Sequence, residues 1–540
     1  MSALRRLTTW PILLLASAVL ARALSSLLPL LLRQDHFAGD AAQHTWWMYR
    51  FADPTLFPNS LAADYFSQFF LSPAGYQLAI GTLCRFLDAQ RVTEVLAIVL
   101  AVTAIVLAAA VGDRIGRRIG AAVALVVLGA NHLELLVEGG FARSFGVVLL
   151  LAGMLCLLRR NWIATGGVVL ASAAFYPPIV LTLAAPVAGV IGLGVWRERK
   201  LPRGFWWLVG LSAVAAGVLA ASYLRPLPPE IGRPFKYAEM ITMQEWQRGG
   251  RFRFFDKSPW VYYFHGTNSG LGYTVGRIAV ASAVLLAAAV FIRRAVPLEA
   301  WALLAGCLTL WAAAHAFLFK LYFPDRYPMY GFPVFAVMAA AGIARELWPC
   351  CRRLAVRRVA TGVVIAFTFF TVATSVRAGM IAYREPGKWL SADGYDAALA
   401  YLAKRPVRVQ IASHPDDANA IPLRIRRNVL VNTESTLPIH DRYYAEMRRR
   451  TNDVFDLMYA TDWPSIDRIA RRDKIDYFLL DTRRLNDPDA RPYLRPFLQG
   501  NRERIATGRK QGFALLSPPA NRVAFTRGDV VVLRLNRGRP

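Results

Sequence analysis

Asp40 stands in the segment Phe37-Ala38-Gly39-Asp40-Ala41-Ala42-Gln43-His44, a polar stretch that follows an apolar run over 9–32. A carboxylate held just outside a membrane helix can take the proton of an acceptor hydroxyl or amine while a leaving group departs. Gly39 permits a tight turn before it, and Gln43 and His44 fall on the next helical turn. The same residues also read as structure, because Asp before Ala-Ala-Gln-His is a good helix N-cap.

Three further places carry chemistry-bearing residues. Lys320-Leu-Tyr-Phe-Pro-Asp-Arg-Tyr327 is a turn between two apolar runs. It puts Arg326, with Lys320 and Tyr327, at the membrane surface, where a guanidinium can hold a lipid-linked phosphate through paired hydrogen bonds. Interfacial Tyr and Arg are equally common as topological anchors. The short loop Asn131-His-Leu-Glu-Leu-Leu-Val-Glu-Gly-Gly-Phe-Ala-Arg-Ser144 holds Glu138 and Arg143, which can face the same cavity as Asp40 or serve as ordinary loop solvation. Arg22 falls near the middle of the first apolar run, where a charge is costly and calls for a partner or a water-filled cavity.

The elements that position these residues follow from composition. The 540-residue chain is 55% hydrophobic, which excludes an ordinary soluble enzyme and points to a multi-pass membrane protein. Its net charge of +28 does not imply nucleic acid, since much of it lies in short loops between apolar runs. Hydropathy places spans near 9–32, 92–111, 119–136, 144–158, 162–178, 180–196, 205–224, 273–292, 298–319, 329–347 and 359–380, about eleven helices. With the N-terminus cytoplasmic, the inner loops collect Arg114, Arg117, Arg118, Arg159, Arg160, Arg197, Arg199, Lys200, Arg203, Arg293, Arg294, Arg352, Arg353, Arg357 and Arg358. That asymmetry requires 73–87 to lie along the outer surface as an interfacial helix.

The expected organisation is a transmembrane domain over 1–383 with two long outer loops, 33–91 and 225–272, and a soluble extracytoplasmic α/β domain over 384–540. The first loop adds Asp64 and the second adds His265 to the substrate-binding candidates Gln43, His44, Glu138 and Arg143. Loops this long are usually functional or disordered, and aromatics and charges favour an ordered binding role here. In the tail, 407–412, 428–432, 476–481 and 530–535 read as strands and 395–402, 443–450 and 463–471 as helices. The five cysteines form no disulfide framework or zinc spacing. Asp416-Asp417 and Asp487-Pro-Asp489 read as turn residues rather than metal ligands. No Walker loop or Gly-rich dinucleotide loop is present, so a soluble nucleotide-sugar site has no support.

In layout, residues 1–380 resemble the GT-C membrane glycosyltransferases, which include the protein O-mannosyltransferases and the aminoarabinose transferases of lipid A. The resemblance rests on Gly39-Asp40 after the first helix, the interfacial segment 73–87, the helix ending in Gly112-Asp-Arg-Ile-Gly-Arg-Arg118, and Pro324-Asp-Arg-Tyr327. It implies a polytopic fold and inverting transfer from a polyprenyl-phosphate sugar to an extracytoplasmic glycan, lipid or protein acceptor. It further implies Asp40 as general base and Arg326 at the donor phosphate. Asp40 is followed by Ala41 where the mannosyltransferase pattern has Asp-Glu, and His44 is the candidate substitute. No metal site and no cofactor is expected; a divalent metal belongs to the alternative of a ligase or polymerase using a polyprenyl-diphosphate donor. A lipid or polysaccharide transporter is the non-enzymatic alternative, but it would carry paired charges within many spans and often internal symmetry. Membrane lipids are expected partners, and a bacterial inner membrane with a periplasmic tail is the expected location.

Overall fold

The computed structural model describes residues 9–33, 37–271, 288–318, 320–351, 362, 366, 368–377, 379–381, 394–486 and 492–536. Helix α1 (Trp10–Leu32) is the first apolar run, followed by the short α2 (Ala41–His44) and by α3 (Ala74–Cys84). The last of these is the expected surface helix: Leu78 is 75% exposed on it, and Phe86 just beyond its end is 81% exposed.

Helix α4 (Ala89–Ala130) is a helical hairpin, since Gly116 and Arg117 leave helical geometry and Arg117 has φ 53°. The two arms approach so closely that a Cβ on Gly120 would meet the Gly112 carbonyl oxygen at 2.2 Å. Only glycine fits there, and Arg114, Arg117 and Arg118 cluster at the bend. Helices α5 (Gly146–Leu158), α6 (Trp162–Phe175), α7 (Pro178–Glu198), α8 (Phe205–Tyr223), α9 (Leu298–Ala316) and α10 (Arg326–Leu347) complete the bundle. Helix α10 lies innermost against α4, with Tyr327, Tyr330, Val337 and Met338 all fully buried.

The described residues do not establish the expected count of eleven spans. Among the described residues, six helices are long and apolar enough to cross a membrane: α1, α4, α7, α8, α9 and α10. The two runs 92–111 and 119–136 are the arms of one hairpin. Helices α5 and α6 have 13 and 14 residues, and at about 1.5 Å per residue they rise roughly 20 Å, short of a hydrocarbon core of about 30 Å. The run 273–292 lies largely outside the described residues, as do Arg352, Arg353, Arg357, Arg358, Asp487 and Asp489, whereas the described part of 359–380 is helical, chiefly over 368–377.

Arg22 has partners in the bundle. Its Nη2 lies 2.8 Å from His132 Nδ1 and its Nε 3.4 Å from Glu134 Oε1. His132 Nδ1 also lies 3.0 Å from Glu134 Oε1, so the three side chains form one cluster.

The tail holds a five-stranded sheet in the order β2-β1-β3-β5-β4. Strands β1 (Gln410–Ser413), β2 (Asn428–Val429) and β3 (Tyr477–Asp481) are parallel, and β5 (Val530–Arg534) runs antiparallel to β3 and to β4 (Val523–Arg527). Central β3 is buried at every position, consistent with helices on both faces. Helices α11 (Tyr395–Ala403), α12 (Asp441–Met458) and α13 (Trp463–Arg472) match the three expected ones, with α12 longer than foreseen.

This tail shares one core with both long loops. Tyr65 stacks on Tyr443 with ring centres 3.7 Å apart and its hydroxyl lies 3.0 Å from His440 Nδ1. Trp246 of the second loop donates from Nε1 to the Pro438 carbonyl at 3.1 Å. All three segments therefore gather on one side of the bundle.

Candidate active site

A cavity of about 580 Å³ opens where these three segments meet the bundle. Asp40, Gln43, His44, Glu138, Arg143 and Arg326 line it, so six of the ten candidate residues converge. Arg251, Arg253, Asn268, Tyr322 and Asp325 also reach it, as do Leu437, Ile439 and Tyr493 from the tail.

Asp40 enters the cavity from the turn before α2. It occupies the N-cap position, but its side chain makes no capping hydrogen bond. Its Oδ2 instead lies 2.5 Å from Arg143 Nη1, and about a third of each side chain remains open to the cavity. The Arg143 guanidinium holds the Asp40 carboxyl well below the usual carboxylate range, outweighing the opposite effect of burial. The turn does not depend on Gly39, where an added Cβ would meet nothing within 4 Å.

His44 follows one turn later, its ring 5.2 Å from Phe141 and 6.3 Å from Phe66. Burial pushes it down to about 4, against the pull of the Asp40 carboxylate. At neutral pH it is an uncharged donor and acceptor beside a charged carboxylate.

Arg326 is the first residue of α10. Its Nη2 donates to Asn268 Oδ1 at 3.3 Å, and its Nε lies 3.6 Å from Asp325 Oδ1. The side chain is 18% exposed, so the guanidinium is fixed yet open to the cavity. Asp325 is buried, and that burial raises its pKa against the opposing pull of Arg326.

Four guanidiniums, Arg143, Arg251, Arg253 and Arg326, stand around the cavity against three carboxylates, Asp40, Glu138 and Asp325. Arg251 is tied to Glu434 of the tail at 2.5 Å, and Arg143 to Asp40. Arg253 is exposed and held with φ 49°, which turns the chain sharply at the rim. Arg326 and Arg253 are thus the cations best placed for an incoming anion.

Asp64, His265, Lys320 and Tyr327 do not line the cavity. Asp64 pairs with Arg50 at 2.6 Å on its own loop. His265 and Lys320 are exposed, and Tyr327 points into the bundle, fully buried. The alternation Arg251-Phe-Arg-Phe-Phe255 was the available sign of the two loop arginines: the phenylalanines pack with Trp246 and Phe323, which turns the arginines toward the opening. No group of three or more His, Cys, Asp or Glu side chains arranged to hold a metal occurs among the described residues.

No family model matches the chain, and no curated protein matches it. Among solved structures it is similar to the oligosaccharyltransferase of Archaeoglobus fulgidus tethered with an acceptor peptide containing the NVT sequon. That likeness has a TM-score of 0.49 and 13% identity over 88% of this chain and 70% of the other. The apo form of the same enzyme gives 0.46 and 15%, with the same coverage of each chain. The archaeal oligosaccharyltransferase AglB of that organism, in complex with an inhibitory peptide and a dolichol-phosphate, gives 0.43 and 12% over 88% and 70%. Likeness at this level assigns the chain neither a family nor an activity.

Proposed function

We propose that this protein is a membrane glycosyltransferase that moves a sugar from a polyprenyl-phosphate donor to an acceptor at the extracytoplasmic surface, with inversion. One observation carries the reading: Asp40, from the loop after the first helix, and Arg326, at the start of α10, line a single cavity bordered by the helical bundle and by the tail. An acid-base group and a phosphate-sized cation in one cavity are the two parts such a reaction needs.

In this reading Arg326, with Arg253 at the rim, holds the donor phosphate. The acceptor oxygen or nitrogen attacks the anomeric carbon from the opposite face. The bond from that carbon to the phosphate oxygen breaks, and its electron pair leaves on the polyprenyl phosphate, where Arg326 stabilises the growing charge. The acceptor's proton passes to Asp40. A carboxylate so well paired is a weak base, so it takes the proton as bond formation to the sugar acidifies the acceptor. His44, neutral, orients the acceptor beside it. The loop carrying Arg251 and Arg253 closes one wall and limits water, which would otherwise hydrolyse the donor.

The reading extends to a bacterial inner membrane, a cytoplasmic N-terminus and an extracytoplasmic tail over 384–540. The test is donor binding and turnover in lipid nanodiscs. Wild-type protein should release polyprenyl phosphate from one of a panel of polyprenyl-monophosphate sugars when a cell-envelope acceptor is present. Turnover only of a diphosphate donor would favour the ligase reading instead.

A further inference from the structure

A second pocket, about 110 Å³, lies in the tail and takes no part in the cavity described above. Its wall includes Arg405 from the turn after α11, Arg408 from the approach to β1 and Arg534 from the end of β5. Three separate segments thus bring guanidiniums to one small opening. Against them stands one carboxylate, Asp476, which accepts the Gln410 backbone N–H at 2.9 Å.

The site is built rather than merely basic. The Arg405 guanidinium carbon lies 4.3 Å from the centre of the Tyr401 ring, which holds the side chain in place. Its Nε is buried with no hydrogen-bond partner. The turn beneath it is pinned by Arg427, whose Nη2 donates to the Arg405 carbonyl at 2.5 Å and to the Ala403 carbonyl at 2.6 Å. Arg408 and Arg534 are exposed, and among the described residues neither forms an ion pair. Three like charges lining one small pocket repel one another, and an anion among them relieves that repulsion while offering oxygens to the guanidinium forks.

We propose that this pocket is a second ligand site, for a single oxyanion: a phosphate or a carboxylate group. The volume suits one such group rather than a whole disaccharide. It is separate from the large cavity. Arg408 precedes β1, whereas the other end of that strand leads to Asp416, which accepts from the hydroxyl of the cavity residue Tyr493 at 3.1 Å. The three steps along this four-residue strand, at about 3.3 Å each, put its two ends roughly 10 Å apart. The oxyanion reaches this pocket from solution or from an anionic lipid headgroup, and the experiment separates the two.

The probe is inorganic phosphate, titrated calorimetrically into the full-length protein in phosphatidylcholine nanodiscs. The expected result is a binding component that survives Arg326→Ala and weakens at least tenfold in Arg408→Gln/Arg534→Gln. Both replaced residues are exposed, so folding should persist; should the double variant melt early, Arg408→Gln alone is read in the same way, with at least a threefold loss expected. Adding phosphatidylglycerol to the nanodiscs abolishes the component if headgroups fill the site and leaves it if the ligand is soluble; either outcome fits the proposal. Phosphate affinity unchanged by the Arg408 and Arg534 replacements, or no component left in Arg326→Ala, overturns it. Sugar transfer is not the readout, so this result is independent of the proposed reaction.

Discussion

Arg143 Nη1 and Asp40 Oδ2 meet at 2.5 Å, which joins the loop after the first helix to the loop after the α4 hairpin. The contact explains why Asp40 does not cap α2 and why its carboxyl stays charged. It also means that the candidate base is held in place by a residue far away in sequence.

Removing that partner should return Asp40 toward its ordinary range, near 3.8. In wild-type protein the carboxyl stays ionised to lower pH, and any stability from the pair is fully present above that value and lost only as pH falls below it. In a His44→Gln background, which removes the imidazole that itself titrates near 4, Arg143→Gln should therefore introduce an acid limb near pH 4 in the pH–rate profile that His44→Gln alone lacks. Identical acid limbs in the two proteins would contradict the pairing.

His44 gives a second test of the same sign, at higher pH. The folded protein keeps it neutral down to about 4, whereas the unfolded chain protonates it near 6.5. The unfolded state binds the extra proton between those values, so stability falls as pH drops from 6.5 to 4, by up to about 3 kcal/mol. Thermal melts in detergent across that range should show the loss, and His44→Gln should reduce it.

Arg326→Ala should raise the donor KM by roughly ten- to a hundredfold, the loss expected for a charge-assisted hydrogen bond. Arg326→Lys should recover part of it. Lys320→Ala should leave the donor KM unchanged, because Lys320 does not line the cavity. Steady-state kinetics over a donor series separates these outcomes.

Arg22→Leu should destabilise the bundle by about 1–3 kcal/mol, because Glu134 is left without its cation in a site where its side chain is 11% exposed. Adding Glu134→Gln should restore much of the loss. A double variant as unstable as the single one would show that Arg22 acts through packing alone.

Much of the arrangement was legible in the sequence, for identifiable reasons. The first helix, the surface helix and the strands around 410, 428, 477 and 530 follow from apolar period and turn chemistry. Asp40, His44, Glu138, Arg143 and Arg326 were legible because charges beside apolar runs are few. Span number was not, because hydropathy cannot tell a 13-residue helix inside a bundle from one that crosses a bilayer. The partner of Arg22 was hidden for a different reason: His132 and Glu134 meet it only through tertiary packing. Strand β4 was missed because Val523–Arg527 is a short edge strand, exposed at three of its five positions, without a clear alternation of apolar and polar residues.

The most direct measurement compares wild type with Asp40→Asn in matched nanodiscs, reading polyprenyl phosphate released from the donor that wild type turns over. The account predicts a loss of at least a hundredfold, roughly the contribution of a positioned general base, with donor affinity and melting temperature nearly unchanged. Full activity in Asp40→Asn, with loss in Asp325→Asn instead, would contradict it and move the base to the buried carboxylate beside Arg326.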